Sequence, residues 1–100
     1  MAQVIVISWR DIPAQVLVKA GRASAKRQLG DRFQEAIDMA AMRAGLRDTD
    51  GYLEAWRRGE PQACGDDLDA EAAAWATRLE QDYPDARLAE LVRTGGLEQR

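Results

Sequence analysis

Histidine does not occur anywhere in this chain of 100 residues. Its absence removes the commonest general base near neutral pH and the commonest zinc ligand. A single cysteine, Cys64, excludes an internal disulfide and cannot by itself build a structural zinc site. It stands just before Asp66 and Asp67, whose negative charge raises a thiol pKa, so an idle thiol is expected there rather than a nucleophile. No apolar run comes near the roughly 18 residues needed to span a bilayer. The opening MAQVIVISW has no charged leader and runs into Arg10-Asp11 rather than a small-residue cleavage site. The expectation is a cytoplasmic protein with no membrane contact and no cofactor.

What is present suits one small domain. The apolar share of 46% and charged share of 31% describe an ordinary globular chain. Much of the apolar share is alanine, which buries little area. The core must therefore lean on Val4 to Ile7, Val16 to Val18, Phe33, Ile37, Tyr52, Leu53, the tryptophans and the late leucines. Net charge is −3, but it is unevenly spread: residues 9–32 carry six cations and two carboxylates, leaving eight cations and fifteen carboxylates elsewhere. Such a chain can offer two different surfaces to partners.

Ala2 to Trp9 is rich in β-branched residues and reads as a strand, with Val4 and Val6 on one face and Ile5, Ile7 and Trp9 on the other. A strand apolar on both faces wants cover on both. Asp11-Ile12-Pro13 interrupts it, and Ala14 to Ala20 resumes the pattern, so an antiparallel hairpin is expected. Ser24 can cap a short helix from Ala25 to Leu29. Phe33, Ile37, Ala40 and Ala44 follow helical spacing over Asp31 to Ala44, a natural roof for the hairpin, closed by Gly45. A further helix is expected from Asp48 through Arg58, then a loop from Gly59 to Gly65, a helix over Asp69 to Asp82, and a last one opened by Pro84. The expectation is an α+β fold, an N-terminal antiparallel β-hairpin packed against four or five helices. Residues 1–96 form the single domain and 97–100 a frayed tail.

The strings WRDIPAQVLV, GRASAKRQLGDRFQEAIDMAAMRAGL and YLEAWRRGEP resemble a small proteobacterial domain family known as the "virulence factor" domain. The resemblance covers most of residues 4 to 61. It supplies no reaction, cofactor or catalytic residue to carry over. Members tend to be encoded near folate-linked and corrinoid methyl-transfer proteins, which implies an accessory role in one-carbon chemistry.

Candidate contacts gather in the positive front of the chain. Trp9 and Arg10 sit at the hairpin end, and both residue types are over-represented among interface hot spots. The structural alternative is that Trp9 closes the core edge and Arg10 pairs with a carboxylate. Lys19, Arg22, Lys26, Arg27 and Arg32 surround a glycine-flanked helix start that can hold a phosphate or carboxylate, although GRASAKR is no P-loop. Their structural alternative is a solvated face. The segment lacks the interleaved aromatics of a single-strand binder, so nucleic acid is not expected. Glu35 and Asp38, three apart on the roof helix, are a weak acid/base candidate. Met39 and Met42 lie off the apolar line and are expected to join the core, the alternative being an exposed, adaptable apolar patch suited to another protein.

The reading is a non-catalytic interaction module that contacts a protein partner or anionic group through the hairpin edge and the basic segment. An apolar edge so poor in charge also invites pairing with a second copy. The competing class is a ligand-binding subunit of folate or corrinoid methyl transfer that holds an anionic small molecule.

Overall fold

The computed structural model describes residues 2–46 and 50–98. Its elements run β1 (Ala2–Trp9), β2 (Ile12–Ala20), β3 (Ala23–Gln28), α1 (Asp31–Arg43), α2 (Asp50–Glu54), β4 (Trp56–Arg58), β5 (Gln62–Cys64), α3 (Leu68–Asp82) and α4 (Asp85–Arg93). This is an α+β fold, an antiparallel sheet with the N-terminal hairpin at its centre and four helices among the described residues.

The hairpin forms as the alternation demands, with Val4 opposite Val18, Ile5 opposite Leu17 and Val6 opposite Val16. The second strand begins earlier than the proline suggested. Pro13 is tolerated because it lies beside a bulge: Ile7 pairs with Gln15 but Ser8 with Pro13, leaving Ala14 as the extra residue. The carbonyl freed at Ala14 accepts the Leu29 N–H at 3.0 Å.

Two segments expected to be helix or loop are strands. Ala23–Gln28 pairs with β2 in place of the short helix over Ala25 to Leu29. Gly21 supplies the positive φ of 60° for a two-residue turn with Arg22, and once that turn forms the only free ladder within reach is that of β2. Trp56–Arg58, expected at the end of a helix, pairs with Ile7–Trp9, and Gln62–Cys64, expected in a loop, pairs with Ala2–Val4. The Gly59 N–H still reaches the Val6 carbonyl between them. β4 and β5 thus act as one interrupted strand along β1. Helix α2 is correspondingly short, and the expected cap at Asp48 lies outside the described residues.

Both edges of the hairpin are therefore occupied, which corrects the expectation of a free hairpin edge. The open edges of the sheet are β3 on one side and β4 with β5 on the other.

Helices α1, α3 and α4 match their expected positions within a residue or two. Asp67 caps α3 by accepting the Ala70 N–H. α1 and α4 end alike: Gly45 N–H bonds Met42 and Leu46 N–H bonds Ala41, while Gly95 N–H bonds Val92 and Gly96 N–H bonds Leu91. These are Schellman closures, and both C′ glycines have positive φ. The core joins Val4, Trp9, Ile12, Val16 and Val18 of the sheet to Phe33, Ile37 and Ala40 of α1, Ala72 and Ala76 of α3, and Leu88 and Leu91 of α4. Met39 and Met42 are 51% and 56% exposed rather than core, while Phe33, Ala36, Ile37, Ala40 and Ala41 form the buried face of α1.

Candidate docking face

The candidate contact residues divide into those the fold has already used and those it has left outside. Trp9 has no exposed surface. Its indole N–H donates to the Tyr52 carbonyl at 2.9 Å, its ring is tilted against Tyr52, and Gly96 lies against its edge. By strand alternation Trp9 belongs with Ile5 and Ile7. It is buried instead because Tyr52 and Gly96 cover it at this end of the sheet, where it lies opposite Ile12 and Trp56. The structural alternative is the one the fold adopts.

Arg10 is likewise engaged. Its φ of 51° makes the turn, its guanidinium donates to the Gly95 carbonyl at 2.8 Å, and the same group lies 5.2 Å from the Trp9 ring centre. Asp11 completes the clamp: its N–H bonds the Gly96 carbonyl and its carboxylate accepts the Glu98 N–H.

Arg32 is the hub between α1 and the end of α3. It bonds the Glu80 carboxylate at 3.0 Å, the Glu80 carbonyl at 2.7 Å, the Tyr83 carbonyl at 2.6 Å and Asp85 at 3.1 Å, while lying over Phe33. The start of α1 also has its anion from within. The Gly30 N–H donates to Glu80 at 2.7 Å, so the helix start expected to hold an external phosphate or carboxylate is filled by the chain's own side chain. With Ala23–Gln28 in the sheet, no second helix start exists beside Arg22.

Lys19, Arg22, Lys26 and Arg27 are exposed and make no ion pair or side-chain hydrogen bond among the described residues. Register sorts them by face, since residues directly opposite in an antiparallel pair share a side. Arg27 lies opposite Val16 and belongs to the helix side. Lys26 lies opposite Leu17, which lies opposite Ile5; Lys19 lies opposite Gln3; and Ile7 lies between Gln15 and Arg58. Arg22 occupies the turn at one end.

These positions make up the face of the sheet away from α3. Ile5, Ile7 and Leu17 form its centre; Ile5 is buried at 7% exposure and the other two are half-buried. Lys26 flanks them on the β3 side and Arg58 on the β4 side, while Lys19 follows Leu17 along β2. No strand of the sheet contains a carboxylate, while Lys19, Lys26, Arg27, Arg57 and Arg58 all sit on strands. The sequence does not mark Arg58, since Trp56 to Arg58 continue the helical spacing of Tyr52 and Leu53 and carry no strand pattern of their own.

A depression of 340 Å³ continues this face under the first turn of α1. Its walls are Gln15, Gln28, Gln34, Asp31, Leu29 and Trp56, a mainly amide lining beside one aromatic. Trp56 shares the Arg58 side of β4 by alternation.

Little else here suits chemistry. Glu35 and Asp38 are both exposed, and Asp38 accepts from Gln34. The Cys64 thiol is held above its ordinary pKa by partial burial and then by Glu71 and Asp66. Burial likewise raises Tyr83, and the Glu98 bond raises Arg87. Among the described residues, no group of three metal-ligating side chains comes together, and no helix is long and apolar enough to cross a membrane.

A family model described as Virulence factor matches residues 7–92 of this chain. That span includes the inner part of the hairpin, both edge strands and all four helices. No curated protein and no solved structure matches it.

Proposed function

The chain belongs to the Virulence factor family, and from that premise we propose that it is a non-catalytic accessory module that docks a protein partner on the outer face of its sheet. The observation that carries this reading is the composition of that face: Ile5, Ile7 and Leu17 at its centre, the last two half-buried, bounded by Lys19, Lys26 and Arg58, which make no ion pair or side-chain hydrogen bond among the described residues. A sheet face that is apolar at its centre and polar at its rim has the anatomy of an interface. The contact surface is thereby moved from the hairpin edge and turn to the strand faces. Lys19 and Lys26 remain in it, Arg22 lies at its end, and Trp9, Arg10 and Arg32 are spent on the fold.

The experiment is capture of the complex from the native source with tagged protein. Leu17→Gln and Lys26→Glu are each expected to lose the captured protein while keeping the circular dichroism and melting temperature of the parent. Capture indifferent to both changes rejects the docking face. A thermal-shift screen of anionic metabolites, folates and phosphates included, tests the competing ligand-binding class. A true ligand at 100 times its dissociation constant stabilises by about 2.7 kcal/mol, whereas a protein adaptor stays flat.

A further inference from the structure

Resting on that reading, we infer that the occupant of the outer sheet face is an acidic amphipathic helix of another protein. α3 packs against β1, β2 and β3, and an antiparallel sheet so covered commonly leaves its other face to solvent, where an apolar centre is available to a partner. The dimensions fit a single helix. β3 and β4 lie on either side of the β2–β1 pair, three inter-strand spacings apart, or roughly 14 Å. A helix with its side chains is about 10–12 Å across. One lying along Ile5, Ile7 and Leu17 would have Lys26 of β3 on one flank, Arg58 of β4 on the other, and Lys19 beyond Leu17 on β2 at one end.

Charge selects the sign of those flanks. All charged strand positions are cations in a chain of net charge −3, so the positive platform is local and the rest of the molecule repels an acidic partner from other approaches. A second copy laid face to face would set Lys19, Lys26 and Arg58 against their own kind. Carboxylates on both flanks of an apolar stripe satisfy the whole face.

The test uses the intact protein, isotope-labelled, and two synthetic helical peptides of roughly 18 residues. Both carry leucine at helical spacing on one stripe, one with glutamate on the flanks and one with lysine. The glutamate peptide is expected to bind, with amide shift changes confined to Gln3–Ile7, Gln15–Lys19, Ser24–Gln28 and Trp56–Arg58. The lysine peptide, and the glutamate peptide on Lys26→Glu or Leu17→Gln, are each expected to bind at least about tenfold more weakly. Raising NaCl from about 0.05 M to about 0.5 M should weaken the glutamate peptide too.

Equal binding of the two peptides, no binding of either, or shifts centred on α3 and α4 overturns the acidic helix. So does a doubled mass in solution that Leu17→Gln abolishes, which would make the occupant a second copy. The two readings fail separately. If the native complex is lost on Leu17→Gln while the glutamate peptide does not bind, the docking face stands and its acidic occupant falls. If the native complex ignores both substitutions, the face itself falls.

Discussion

At the scale of single residues, the most constrained position is a glycine near the end of the chain. Gly96 has φ of 90°, and a Cβ there would meet Trp9 Cζ3 at 2.7 Å. Gly96→Ala combines a left-handed backbone with a collision against a buried ring, and we expect a loss of about 2–4 kcal/mol by urea unfolding. Gly21→Ala has the same backbone cost but open space around it, so the smaller loss, about 1 kcal/mol, isolates the backbone part. Cys64 gives a prediction of a different kind. With its pKa raised by partial burial and by Glu71 and Asp66, less thiolate is present at a given pH than in a free thiol. Alkylation by iodoacetamide should be slow at neutral pH, with a rate profile that inflects above the ordinary thiol value. A profile inflecting below it would point to an activated cysteine.

Among the elements, α1 is held at its start by one side chain. Arg32 gathers two carbonyls and two carboxylates from the α3–α4 junction, and Glu80 in turn accepts the Gly30 N–H. Arg32 and Glu80 are about a third exposed, so the ion pair itself counts for little and the carbonyl bonds for more. Arg32→Ala should cost about 1–3 kcal/mol, and Arg32→Lys should recover only part of it, because an ammonium cannot serve the same fork of acceptors. This element was largely legible in advance: Phe33, Ile37 and Ala40 are buried as their spacing required. β3 was not. ASAKRQ has ordinary helix formers, and only the Gly21-Arg22 turn and the weak alternation of Ala23 and Ala25 against Ser24 and Lys26 hinted at a strand. Pairing with β2 decided it, as tertiary context commonly overrides propensity. β4 and β5 are each too short to carry a period at all.

For the molecule as a whole, the two ends of the described chain are tied together. Arg10 and Asp11 at the hairpin turn hold Gly95, Gly96 and Glu98, so the first turn of the sequence folds against the last. Removing residues 95–100 should therefore act on the hairpin. It strips the three hydrogen bonds to the hairpin turn, together with the closure of α4, and uncovers Trp9, and we expect roughly 2–4 kcal/mol of lost stability with a red-shifted tryptophan emission. An unchanged melting temperature would mean that the clamp is unimportant. The same scale explains the charge pattern. The carboxylates lie in helices and loops, and the sheet keeps only cations, so one face is positive although the total is negative.

By itself the sequence determined the hairpin, the three longer helices, their caps and the lack of histidine chemistry, because local spacing and residue type govern those features. It also marked Lys19, Arg22, Lys26 and Arg27 as cations near the hairpin. Which cations remain available was decided only by the tertiary structure. Arg32 is taken by Glu80, Arg10 by Gly95, and Arg58 is added from a strand whose three residues form no pattern without β1 beside them. The physical reason is that these pairings join residues 48 and more positions apart, and no local preference encodes a partner at that distance.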